Sequence, residues 1–378
     1  MAKLLLNLFL VVSITLVTSC SKDKKTPEKP VGPPPPPPPG PVAVEKDSGV
    51  YVLSTGAFYL GVSKVGYYDF RKNQYTEDYF KDKNPDAKLS GTCYGGLQYG
   101  EKCYVFLSYD ASKIMALDKG SGKMLAEIAS GVPYQSSHVW PKKAVADKNL
   151  LYVAGDGYFV HVVDTSTLKL VKSFAIPQWA SDIIVQNNKL FVSNKRPSGL
   201  LSPDTSLLVM DMNTGTIEKN INFGVAPQFM LKDNEGFVYL YTGGGINPYD
   251  GPFLHKIDAT TLTVVKRTNT RIRTMVLYGT NNILAISGQN SDPFHDGKIP
   301  VYDRTTLALV KDNFITDGTK LTYPRYLYTN EKTGDVYIID MKDGNSAGQV
   351  YIFDKDGKKL LDFATTNSIL PVALLFNY

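Results

Sequence analysis

Twelve residues of this 378-residue chain have the chemistry to hold a flat, polar molecule: Tyr94, His138, Trp140, Gln178, Trp179, Arg196, Tyr249, Arg271, Arg273, His295, Tyr323 and Arg325. Aromatic rings give contact area at low entropic cost, and an Arg fork grips carboxylate, amide or phosphate oxygens. Both tryptophans of the chain are in the set. Arg271 and Arg273 are two apart, and Trp140 and Trp179 are expected just ahead of strands, where they would sit at the mouth of whatever those strands enclose.

Other chemistries find less support. The four histidines, His138, His161, His255 and His295, lack metal-ligand spacing, and His161 and His255 open strands as ordinary sheet residues. Asp340-x-x-Asp343-Gly-Asn345 resembles a calcium loop but has no distal Glu, and reads as a turn. No G-x-S-x-G, H-E-x-x-H or phosphate-loop motif is present, and Gly243–Gly245 precede no helix. No metal and no cofactor is implied. The chain reads as a non-enzyme, with a lactonase-type hydrolase as the enzymatic alternative. The net charge of +5 is spread without a Lys/Arg stripe, which argues against nucleic acid as a partner.

The elements that must position these residues are visible as a repeat. His161–Phe174 (HVVDTSTLKLVKSF) reads as strand, Asp-initiated turn and strand, the Asp side chain folding back onto nearby backbone N–H groups. The unit recurs at Asp69, Asp118, Asp164, Asp211, Asp258, Asp303 and Asp354, at intervals of 45 to 51 residues. Ahead of each unit stands another strand, mostly with an aromatic second residue, such as Leu151-Tyr152-Val153-Ala154. Ahead of that strand lie a hairpin turn and one strand more. Four strands in a period of this length define an all-β, seven-bladed β-propeller. The first unit lacks its opening strand, and Pro371–Phe376 supplies it, closing the ring and removing free sheet edges. The longer connections, such as 194–206, 242–253 and 287–298, emerge on one face together with the twelve residues, and long loops on a rigid scaffold are where function usually resides.

Cys93 and Cys103 are placed on adjacent strands of one hairpin. If Gln98 faces Cys103, Cys93 is five residues further along, roughly 17 Å at 3.3 Å per residue, so two free, buried thiols are expected. Residues 1–19 read as a signal peptide: Lys3, an apolar run from Leu4 to Val17, then small residues ahead of Cys20. Cys directly after them resembles a bacterial lipobox, which implies acylation of Cys20. Residues 20–47 form a tether whose Pro33–Pro39 run stays extended as polyproline II, and 48–378 form the propeller.

With these features the chain resembles the YncE-like β-propeller family. The resemblance is carried by Gly49-Val-Tyr-Val-Leu-Ser-Thr-Gly-Ala-Phe58, the D-x-x-T units, and the Pro-Gln pairs Pro177-Gln178 and Pro227-Gln228. Among its lipid-anchored members, cell-surface propellers of BtuG type capture cobalamin and pass it to a TonB-dependent transporter. The resemblance therefore implies an outer-membrane lipoprotein, at the cell surface or on the periplasmic face. It would bind a small nutrient, a corrinoid foremost. An iron–siderophore complex and a protein-docking or adhesin role are the alternatives.

Overall fold

The computed structural model describes residues 49–56, 63–108, 112–131, 139–195, 205–243, 252–288 and 297–377. Ala43–Tyr378 forms one compact unit that contains all of them; the leader, Cys20 and the tether lie outside the described residues.

Every repeat read from the sequence is a four-stranded antiparallel sheet. Blade 1 holds β1 (Gly49–Ser54), β2 (Lys64–Asp69) and β3 (Gln74–Thr76). A short helix α1 (Tyr79–Lys83) follows. Blade 2 is β4 (Thr92–Tyr99), β5 (Lys102–Ser108), β6 (Lys113–Asp118) and β7 (Met124–Ala129); blade 3 is β8 (Val139–Asp147), β9 (Leu150–Gly157), β10 (Phe159–Asp164) and β11 (Lys169–Ala175). Blade 4 is β12 (Trp179–Gln186), β13 (Lys189–Lys195), β14 (Ser206–Asp211) and β15 (Ile217–Asn222). Blade 5 comprises β16 (Pro227–Lys232), β17 (Phe237–Thr242), β18 (Phe253–Asp258) and β19 (Thr263–Asn269). Blade 6 comprises β20 (Ile272–Tyr278), β21 (Asn282–Ser287), β22 (Val301–Asp303) and β23 (Leu309–Lys311). Blade 7 is β24 (Pro324–Thr329), β25 (Val336–Asp340), β26 (Ala347–Phe353) and β27 (Lys359–Ile369). The last strand, β28 (Pro371–Asn377), pairs with β1 from Gly49↔Asn377 to Ser54↔Pro371 and completes blade 1. The chain is thus an all-β seven-bladed propeller closed by its C-terminal strand.

The Asp turns behave as their residue types dictate. Asp164 Oδ1 accepts from the N–H groups of Ser166 (2.9 Å) and Thr167 (2.7 Å) and from the Thr167 hydroxyl (3.0 Å). Asp211 and Asp303 repeat the same three bonds. Four residues after the Asp the chain turns through the left-handed region, at Asn73, Gly122, Leu168, Gly215, Leu262 and Leu307. A leucine there is strained, and its side chain compensates: Leu307 is buried in the core shared by blades 5 and 6.

The aromatic second residues of the inner hairpins fill the space between blades. Tyr51, Tyr104, Tyr152, Phe191, Tyr239 and Tyr337 are all buried to 2% exposure or less, which removes them from water at a gain of roughly 1.5–3 kcal/mol each. Two of their hydroxyls also reach the next blade: Tyr51 donates to the Lys119 carbonyl (2.6 Å) and Tyr152 to that of Met212 (3.2 Å), in each case the residue after the turn Asp. Cys93 and Cys103 are free and buried. Gln98 pairs with Cys103 as expected, and burial pushes both thiols up to about 12.

Candidate binding site

The seven innermost strands, β4, β8, β12, β16, β20, β24 and β28, meet one another in turn around a closed ring. Each carries a β-bulge near its first residues. The register passes from Cys93↔Leu107 to Gly95↔Phe106, from Pro141↔Gly155 to Lys143↔Ala154, and likewise in every other blade. One residue per blade is left without a cross-strand partner: Tyr94, Lys142, Ser181, Gln228, Arg273, Arg325 and Val372. Bulges of this kind re-aim side chains next to functional sites. The bulges lie at the strand ends that adjoin the long connections, opposite the Asp turns, and so encircle the channel mouth.

Two residues before each inserted one stands a second tier, which includes Trp140, Trp179, Arg271 and Tyr323. Seven of the twelve sequence candidates, Tyr94, Trp140, Trp179, Arg271, Arg273, Tyr323 and Arg325, therefore fall on two tiers of one mouth. His138, Arg196, Tyr249 and His295 lie outside the described residues. Gln178 is the exception. It precedes β12, and blade 4 inserts Ser181 instead, so Pro177-Gln178 is not the equivalent of Pro227-Gln228, whose Gln228 is the inserted residue. The tryptophans also differ from expectation. They lie inside β8 and β12, paired with Asp156 and Lys195, because the bulge absorbs one residue and lets pairing continue past it.

The tiers contact one another from blade to blade. Lys142 Nζ lies 4.5 Å from the centre of the Tyr94 ring and bonds Asp156 at 2.6 Å. The Arg273 guanidinium, only 4% exposed, sits 4.7 Å over the Tyr323 ring, whereas Arg271 is exposed. Gln228 Nε2 donates to the Gly243 carbonyl (2.8 Å). Arg325 is half-buried and makes no ion pair or side-chain hydrogen bond among the described residues. The Trp179 indole nitrogen is buried without a hydrogen-bond partner among them.

The frame behind these side chains is rigid. Ser108 and Thr55 donate across blades to the Pro141 (2.9 Å) and Cys93 (2.7 Å) carbonyls just ahead of the inserted residues. Gly155 faces the Pro141 bulge, where an added Cβ would lie 1.9 Å from the Trp140 oxygen. The acids nearby are committed to structure. Asp182, whose carboxyl burial pushes up, accepts the Met230 N–H of the next blade (2.7 Å). Asp340 accepts those of Thr322, Tyr323 and Lys342 (2.7–2.8 Å). Asp343 caps its own turn through the Asn345 and Ser346 N–H groups, so the calcium-like stretch is a turn. His161 has partners at both ring nitrogens, Ser173 and the Ser130 carbonyl; at the matching place in blade 5, His255 bonds Thr242 through Nε2 only. Among the described residues no three His, Cys, Asp or Glu side chains are placed to hold a metal ion.

Sequence reasoning missed Lys142, Ser181 and Gln228. A signal for Lys142 and Gln228 existed, though not for Ser181, which follows Ala180: Pro141, Pro227, Pro324 and Pro371 each precede the inserted residue of their blade. Proline has no N–H to give to a ladder and is tolerated at edges and bulges.

The chain belongs to the family DUF5074, described as a domain of unknown function, whose model matches residues 48–377. No curated protein matches it in sequence. Among solved structures it is similar to a quinonprotein alcohol dehydrogenase-like protein from Bacteroides thetaiotaomicron, at 17% identity and a TM-score of 0.64 over 88% of this chain and 79% of the other. The hydrazine synthase of Kuenenia stuttgartiensis follows at 16% and 0.53, over 70% and 77%. The computationally designed Ika8 protein stands at 14% and 0.53, over 85% and 90%. At these identities the likeness is one of fold.

Proposed function

We propose that this propeller is the capture module of a lipid-anchored outer-membrane protein, and that it binds a small, flat nutrient at the channel mouth. A corrinoid is the favoured ligand, passed on to a TonB-dependent transporter. The observation that carries the reading is the pair of tiers: tryptophan, tyrosine and arginine side chains gathered from separate blades onto one ring by bulges. Broad aromatic surfaces with a few fixed polar groups are what small-molecule sites are built from. The reading is non-catalytic, since Asp156, Asp182 and Asp340 are spent on an ion pair and on backbone N–H groups. Membrane attachment rests on the lipobox-like run ending at Cys20. Titrating residues 48–378 with cyanocobalamin by calorimetry tests the ligand; saturable binding at micromolar concentration is expected, and its absence removes the corrinoid.

A further inference from the structure

The two tiers are not uniform around the ring. Blades follow one another in chain order, so blades 2–4 and blades 6–7 stand on opposite sides of the mouth. Among the described residues of the two tiers, blades 2–4 contribute Tyr94, Trp140 and Trp179, and their one cation, Lys142, is paired with Asp156 at 2.6 Å. Blades 6–7 contribute Arg271, Arg273 and Arg325. Asp340, a buried acid on that side paired across from Pro324, is taken up by three backbone N–H groups, with Lys342 3.6 Å away.

We infer that the mouth is polarised and selects a ligand with an oxyanion, carboxylate or phosphate, at one end of a flat ring system. The anion lies against Arg325, and the rings lie across Trp140 and Trp179. This rests on the binding reading above and goes further by fixing the ligand's charge and its orientation.

A half-buried guanidinium has lost part of its hydration and regains it through an anion; a neutral ligand there would leave it short of acceptors. The Arg273 guanidinium, 4.7 Å over the Tyr323 ring, adds a second positive charge in the blade next to that of Arg325. Trp140 and Trp179 occupy the same tier in adjacent blades.

Two probe pairs share a ring system and differ in the phosphate-bearing part: FMN against riboflavin, and cyanocobalamin against dicyanocobinamide. The phosphate-bearing member is expected to bind about tenfold tighter or more, as one charge-assisted contact provides. Arg325→Gln should abolish that preference by lowering the affinity of the phosphate-bearing member about tenfold, whereas Trp179→Ala should weaken both members alike and keep the preference; melting curves confirm that each variant is folded. If corrinoids fail but FMN outbinds riboflavin, the corrinoid falls and the polarity stands. If both corrinoids bind equally and Arg325→Gln changes nothing, the binding reading stands and the polarity is wrong. If no probe binds, both are overturned.

Discussion

A single carboxylate, repeated, shapes the lower face of the molecule. The Thr167, Thr214 and Thr261 backbone N–H groups hold Asp164, Asp211 and Asp258 below the usual carboxylate range, and the Ser121 and Thr306 hydroxyls do the same for Asp118 and Asp303. A carboxyl whose folded pKa is depressed contributes stability above its unfolded pKa, about 4, and loses it as pH falls through the folded value. The melting temperature should therefore drop steeply below about pH 4, and more gently in an Asp164→Asn/Asp211→Asn/Asp303→Asn variant, as scanning calorimetry across pH would show. His255 works in another window. Burial lowers its pKa to about 4, so the folded state resists a proton that the unfolded chain accepts near 6.5, and stability declines between those values as pH falls. Glycine at the turns is a separate demand. Gly215 sits at φ +75°, and an added Cβ would lie 2.1 Å from the Phe174 ring. Gly215→Ala should cost about 1–3 kcal/mol in urea unfolding.

At the scale of elements, strands were legible and bulges were not. Alternation and Asp turns mark where a strand runs, but a bulge adds one residue without breaking either signal. The inner strands are therefore legible, while Trp140 and Trp179, expected just outside them, lie inside, and Gln178 precedes its strand rather than being the residue its blade inserts. Helix α1 escaped for a different reason: five residues make too little periodicity to see. It is anchored from outside itself, by buried Phe80 and by Asn84, which bonds the Phe80 and Gly122 carbonyls (3.0 Å each) and accepts from Met124 N–H (2.8 Å). Strand β28 carries the closure. Deleting Pro371–Asn377 strips β1 of its inner partner, leaving only β2, and removes Ala373, Leu374 and Leu375 from two cores. Loss of the cooperative thermal transition and aggregation on size-exclusion chromatography are expected; a monomer with an unchanged melting curve would contradict this.

For the whole molecule, the repeat predicts how the chain stands, and its departures from symmetry predict where it acts. Seven equivalent positions hold Tyr, Lys, Ser, Gln, Arg, Arg and Val, a spread that packing alone does not ask for. The two thiols are the opposite case: they belong to the core. With burial holding them near 12, neither Cys93 nor Cys103 should react with a maleimide at neutral pH until the propeller is unfolded, which mass spectrometry can follow. Closure by β28 has a consequence in space as well. Gly49 pairs with both Asp69 and Asn377, so the backbone enters β1 at the Asp-turn face. A load borne by the chain ahead of Gly49 is taken up on the side away from the mouth.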